Sequence, residues 1–356
     1  MKIALLTYFH ALSYGATLQT YATIKALESL GHEVWLINLY IPETASLPKR
    51  LLLLPKEYKH WKFRKKYFKH ITRHYTSSED LKNDPPEADL YMIGSDQTWN
   101  PDISEDKAPS FFLDFVKDNS KKVTYAASFG KDTLDGTKWI SKERIIELLR
   151  QFRSIAIRET SGKELLSKFG IDSIQVVDPV LLFAQYDELV GKPQQREEIG
   201  LFKINKTNEF YAKAKEVGNL ASTPVRSIGS MRREPGVKCR YPEGIEGWMK
   251  AIASSKYILT DSFHGLVISL LYHRQFVILP GMSGRVTRLR SLLQLVGLEN
   301  RIMSVNEPAE NIYAKLKEPI DYMQVDAVLD SERGKSWSYL KGLAIRNFQI
   351  EKNNIV

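Results

Sequence analysis

A single cysteine in 356 residues, Cys239, leaves no pair for an internal disulfide and too few thiols for a cysteine-only metal site. No apolar stretch approaches the roughly 20 residues that a membrane-spanning helix needs. The opening segment, Met1 to Tyr8, is too short an apolar run for a secretory signal, and no small-residue cleavage site follows it. Together these absences predict a cytoplasmic protein that is neither exported by a standard signal nor membrane-spanning. GxGxxG, GxxxxGK(S/T), HExxH and CxxC are also missing, so the common nucleotide and metal signatures are not there. No histidine has an evident ligand spacing, and no metal or cofactor is expected. Net charge is confined to one segment of the chain. Lys and Arg exceed Asp and Glu by nine (51 against 42), and residues 49–73 alone hold ten basic residues against the one acid Glu57. The remainder is near neutral, which argues against a nucleic-acid-binding protein and for one local anionic contact.

The length exceeds what one hydrophobic core usually serves, so two domains are expected. Lys2 to Thr7 reads as a buried strand. A loop with Tyr14 and Gly15 follows, then a helix with Leu18, Tyr21, Ala22, Ile24, Leu27 and Leu30 on one face, closed by Gly31. Val34 to Leu39 completes a βαβ unit and hence implies a parallel sheet. Further strands over 89–93, 122–127, 154–157 and 174–177 each run into a polar loop, and such loops line the ligand crevice of an open parallel sheet. Residues 185–198, rich in Gln, Glu, Lys and Pro, mark the boundary, and a second α/β set follows. The expected organisation is 1–188, 189–335, and a final helix over 336–356 returning to the first domain. Two Rossmann-like halves joined by one linker make the GT-B-type arrangement, with a small anionic ligand held in the interdomain cleft.

Three stretches carry candidate chemistry. In Thr260-Asp261-Ser262-Phe263-His264-Gly265, Ser262 reads as an N-cap and Gly265 as room for a ligand beside the backbone. His264 falls in the first helical turn, where the dipole favours anions and imidazole can move protons. The bland alternative is a capping turn with a satisfied histidine. Gly94-Ser95-Asp96 with Trp99 reads either as a tight turn capped by a core indole or as a ligand loop in which Trp99 stacks on a sugar. Arg158, after the strand ending at Ile157, can grip a carboxylate or phosphate with two parallel bonds, or merely pair with Glu159 at the surface.

Jointly, Ser13 to Ala22, the Gly94 to Pro101 run GSDQTWNP, Tyr125 to Gly130, Arg158-Glu159, Val177-Asp178-Pro179 and DSFHG at 261–265 resemble the polysaccharide pyruvyl transferase family, in the family's order and over residues 1 to about 301. The resemblance implies a GT-B-like enzyme that moves the pyruvyl group of phosphoenolpyruvate onto sugar hydroxyls as a ketal, on a polysaccharide or its lipid-linked precursor. By that resemblance Arg158, Ser262, Phe263, His264 and Gly265 form the donor site. Ser262 and Phe263 stand where the family has Arg-Leu, so Arg285 or Arg288 is expected to supply the missing cation. His264 is expected to serve as acid or phosphate contact, and Asp96 or Glu159 as base. Tyr14, Gly15, Ser95, Asp96 and Trp99 are placed on the acceptor side. Two other readings stay open: a GT-B glycosyltransferase using a nucleotide sugar, and a non-catalytic sugar-binding component of a polymer assembly complex.

The basic segment 48–75 is read as one helix gathering Tyr58, Trp61, Phe68, Ile71 and Tyr75 on a face, flanked by Phe63 and Tyr67. That face either lies on an anionic membrane at the inner side of the cytoplasmic membrane or packs on the first domain.

Overall fold

The computed structural model describes residues 1–39, 47–204, 207–230, 234–239, 243–281 and 286–344. Over these the chain divides into two compact units, Met1–Ala45 with Lys65–Phe183 and Asp330–Val356, and Ser46–Arg64 with Ala184–Leu329.

In the first unit β1 (Lys2–Leu6), β2 (Glu33–Leu39), β3 (Ile71–Tyr75), β4 (Leu90–Ile93) and β5 (Lys122–Thr124) form a parallel sheet in the order 3-2-1-4-5. β6 (Ala156–Ile157) and β7 (Ile174–Gln175) pair with each other, and bridges from Val123 to Ser154 and Ala127 to Ile157 set β6 beside β5. The order 3-2-1-4-5-6-7 is that of a doubly wound sheet, reversing between β1 and β4. Every residue of β4 is buried, as expected for a strand covered on both faces. The helix Tyr14–Ser29 closes as the sequence predicts. Gly31 takes φ +78°, its N–H bonds to Glu28 O at 2.9 Å and that of His32 to Leu27 O at 3.2 Å, a Schellman closure. Its far side packs on the helix Pro179–Phe183, with Tyr21 and Phe183 edge to face. The helix Tyr322–Gly342 starts well before Ser336. Its second half groups with the first unit, where Ser336 Oγ accepts from Val177 N and Tyr339 OH donates to Thr124 O. Residues 345–356 lie outside the described residues.

The second unit repeats the plan. β8 (Arg196–Phe202), β9 (Val225–Ser227), β10 (Lys238–Cys239), β11 (Ser255–Thr260) and β12 (Gln275–Ile278) are parallel in the order 10-9-8-11-12, reversing between β8 and β11. Buried Arg301 donates to the carbonyls of Phe276, Lys315 and Glu318, which ties β12 to the helix Ala309–Lys317.

The basic segment departs from the single helix expected over 48–75. The helix is Leu47–Tyr67, and Ile71–Tyr75 is instead β3, paired with β2. Ile71, Thr72 and Tyr75 favour a strand, and an open edge beside β2 was there to receive them. The segment is also not confined to the first unit. Residues 46–64 group with the second, where His60 is fully buried and the Lys59 methylenes lie against Gly244.

Burial, then the charges of Lys56 and Arg64, lower the His60 pKa to about 3. A folded-state value below the unfolded one means that folded His60 binds fewer protons than unfolded His60 between these values. Its contribution is therefore complete above about pH 6.5 and is lost as pH falls. Between about pH 7 and 5, above most carboxylate titration, the urea midpoint should decline in the wild type and decline less in His60→Gln. Parallel slopes would show that His60 carries none of this dependence.

Candidate functional site at the two sheet reversals

In the first unit a buried polar chain runs beneath the carboxyl edge where the sheet reverses. Gln19 Nε2 donates to Thr7 Oγ1 at 2.9 Å, and Thr7 Oγ1 donates to Ser95 O at 3.0 Å. Ser95 Oγ lies 3.4 Å from Asp178 Oδ2, which accepts from Arg158 Nη1 at 2.8 Å. The Arg158 and Asp178 side chains are 2% and 0% exposed. Burial works against the Arg158 charge, but Asp178, then Glu159 and Asp96, together raise its pKa above the ordinary guanidinium value. Arg158 is not a surface partner of Glu159: their contact, 3.9 Å from Nε to Oε2, is buried, and Nη1 is held by Asp178. Glu159 is also buried, with Oε1 accepting from Phe129 N at 3.1 Å, so it holds a neighbouring loop.

Asp96 is the half-exposed acid at this edge. It takes φ +79°, in the left-handed region that Asp tolerates better than most residues, and its Oδ1 accepts from Gln97 N. Trp99 departs from the expectation of a sugar-stacking platform. It is 1% exposed, its Nε1 donates to Phe111 O, and it stacks on Phe112 at 5.9 Å and 9°. With Phe129 it lines a cavity of about 110 Å³ bordered by Asn100, Asp102, Lys131 and Asp135, but it offers no open ring face. Tyr14 and Gly15 are buried in the first turn of their helix, behind the N-cap Ser13.

At the second reversal, Thr260 Oγ1 donates to Phe202 O and accepts from Ser262 N, and Ser262 Oγ caps the helix Phe263–Leu271 by accepting from Gly265 N at 3.3 Å. Phe263 and His264 occupy the first turn edge to face, with His264 at 8% exposure. Packing by itself requires glycine at position 265. A Cβ there would lie 2.5 Å from Thr260 Oγ1 and 3.2 Å from the Phe202 ring. Arg288 is half-buried in the first turn of the helix Val286–Leu295, and Arg285 lies outside the described residues.

A cation that sequence reading passed over stands here. Lys203, directly after β8, donates to Leu279 O at 2.6 Å and lies 3.5 Å from Asp261 Oδ2, while Asp261 Oδ1 accepts from Ile204 N at 2.7 Å. Burial lowers the Lys203 pKa and Asp261 opposes that shift. Its signal was the one that marked Arg158: a basic residue immediately after a buried strand.

The sequence profile of the family described as polysaccharide pyruvyl transferase matches residues 14–281, three quarters of the chain and both sheet reversals. The chain belongs to the polysaccharide pyruvyl transferase family. No curated protein is matched by sequence. Solved structures are similar over almost the whole chain. The UDP-GlcNAc 2-epimerase of Neisseria meningitidis bound to UDP-GlcNAc has a TM-score of 0.57 at 11% identity, covering 98% of this chain and 100% of that one. Arabidopsis thaliana UGT89C1 complexed with quercetin has 0.55 at 8%, covering 98% and 99%. The glycotransferase of kitacinnamycin has 0.52 at 13%, covering 97% and 98%. At such identity these likenesses establish the fold, two Rossmann-like domains of the GT-B class. The family motifs GSDQTWNP and DSFHG thus fall at the two sheet reversals, where open α/β sheets bind ligands.

Removing one partner of a buried pair leaves an uncompensated charge. Asp178→Ala should therefore cost about 3–5 kcal/mol in chemical denaturation, and a loss below about 1 kcal/mol would mean that water reaches Arg158. Gly265→Ala should cost about 1–3 kcal/mol from overpacking; an unchanged denaturation midpoint would show that helix and strand have room to part.

Proposed function

We propose that this pyruvyl transferase family member takes the pyruvyl group of phosphoenolpyruvate and bridges two sugar hydroxyls with it as a ketal. The acceptor is a polysaccharide or its lipid-linked precursor, the reaction runs in the cytoplasm, and no separate cofactor takes part. The observation that carries the reading is His264, in the first turn of a nine-residue helix at a sheet reversal, in a chain of this family.

Protonation of the enol phosphate at its methylene carbon places positive charge on the adjacent carbon, and a sugar hydroxyl bonds there. A second hydroxyl then replaces phosphate as the carbon–oxygen bond to phosphate breaks. Of the two hydroxyl protons, one is balanced by the new methyl group and the other leaves with phosphate.

Imidazole suits the proton donor's role at neutral pH, and the helix N-terminus favours the donor's anionic groups. Asp96 is the acid open enough to accept a hydroxyl proton. Arg158 acts as a positioning residue, holding Ser95 and Asp178 under the loop that carries Asp96.

Phosphoenolpyruvate should raise the melting temperature of the purified protein, whereas UDP-sugars should not, because only a ligand of the native state stabilises it. The opposite pattern would replace this reading with nucleotide-sugar transfer. His264→Ala should lower turnover by about a hundredfold or more with an unchanged circular dichroism spectrum; near-normal turnover removes His264 from the chemistry.

A further inference from the structure

We propose that the outward face of the helix Leu47–Tyr67 is a docking surface for an anionic lipid bilayer. The inference goes beyond the reaction above and does not depend on it. Among the described residues, four of the eleven exposed large apolar side chains fall between Leu51 and Trp61. Leu51 is 68% exposed, Leu54 52%, Tyr58 59% and Trp61 47%. Their spacings of three, four and three residues place them on one stripe of the helix. Tyr58 and Trp61 stack on each other at 5.8 Å and 25°, which sets both rings on the same outer surface.

The side chains that fix the helix to the fold point the other way. His60, Phe63 and Tyr67 are buried, and Tyr67 meets Tyr21 edge to face at 5.2 Å. Packing therefore accounts for Phe63, Tyr67 and Phe68, while Leu51, Leu54, Tyr58 and Trp61 keep about half or more of their surface in solvent. Lys62 and Lys65 continue that stripe, Lys59 and Lys66 flank it, and all four are exposed.

Leucines with indole and phenol rings beside a row of lysines match the chemistry of the headgroup layer: apolar groups reach the acyl boundary and ammonium groups meet lipid phosphates. A second copy of this chain would bring lysines against lysines. A nucleic acid would use the charges but leave Leu51 and Leu54 in water. No described helix is long and apolar enough to cross a membrane, so the contact is one of lying on the surface.

Co-sedimentation with vesicles of phosphatidylcholine containing about one third phosphatidylglycerol tests this. The protein should pellet at low salt, stay soluble with pure phosphatidylcholine, and be released near 1 M salt, where screening reaches about 3 Å. A triple Lys59→Gln, Lys62→Gln, Lys65→Gln variant should bind about a hundredfold more weakly, since each basic residue near the surface contributes close to a factor of five. A triple Leu54→Ser, Tyr58→Ser, Trp61→Ser variant should lose binding without loss of the lysines. Circular dichroism checks that each variant is folded, and its melting response to phosphoenolpyruvate is recorded separately, so that failure of docking and failure of the proposed reaction are read apart. Wild-type protein left in the supernatant at low salt overturns the proposal. So does binding that either variant retains in full, or salt-sensitive binding to single-stranded DNA with none to vesicles.

Discussion

The first domain is organised around a constraint of burial: Arg158 and Asp178 are both shut away from water, so their charges must meet. Meeting requires the end of β6 and the start of the helix Pro179–Phe183 to stay in register. Ser95, shared between them, draws the loop after β4 into the same arrangement. Thr7 and Gln19 extend it to β1 and to the helix Tyr14–Ser29. Motif residues scattered over some 160 positions of sequence are thus one buried network, and its product is a fixed loop carrying Asp96. Such a network costs desolvation and returns a fixed geometry at the sheet edge.

The second domain solves the same problem with different groups. Asp261 joins the ends of β8 and β11 through Lys203 and the Ile204 amide, while Thr260 stitches Phe202 to the cap of the following helix. His264 is then carried on a helix start whose position is set by the close approach at Gly265. Each reversal therefore pairs a buried clamp with a candidate side chain, half-exposed Asp96 in one and buried His264 in the other.

Much of this was legible in the sequence, for identifiable reasons. Strand, glycine-closed helix and strand over the first 39 residues announced a parallel sheet, and the DSFHG run announced a capped helix start. What misled was burial that local pattern does not reveal. Trp99 follows a turn, as a sugar platform would, but Phe111, Phe112 and Phe129 enclose it from later in the chain. The pairing of Arg158 with Asp178 was not visible because the two lie twenty residues apart. The aromatic periodicity of the basic segment continued past Tyr67, yet the pairing of Ile71–Tyr75 with β2 is a long-range event that overrides it. Lys203 carried the same signal as Arg158, a base directly after a buried strand, but no family motif surrounds it to draw attention there.

This chain, as proposed, builds a pyruvyl ketal from an enol phosphate. The most direct test is to incubate it with phosphoenolpyruvate and galactose-, mannose- and glucose-containing acceptors in deuterium oxide and follow the products by NMR. Pyruvyl transfer should yield inorganic phosphate together with an acceptor ketal whose methyl group has gained a single deuterium from solvent. Phosphoenolpyruvate left intact with every acceptor, while a nucleotide sugar is consumed by the same preparation, would contradict it.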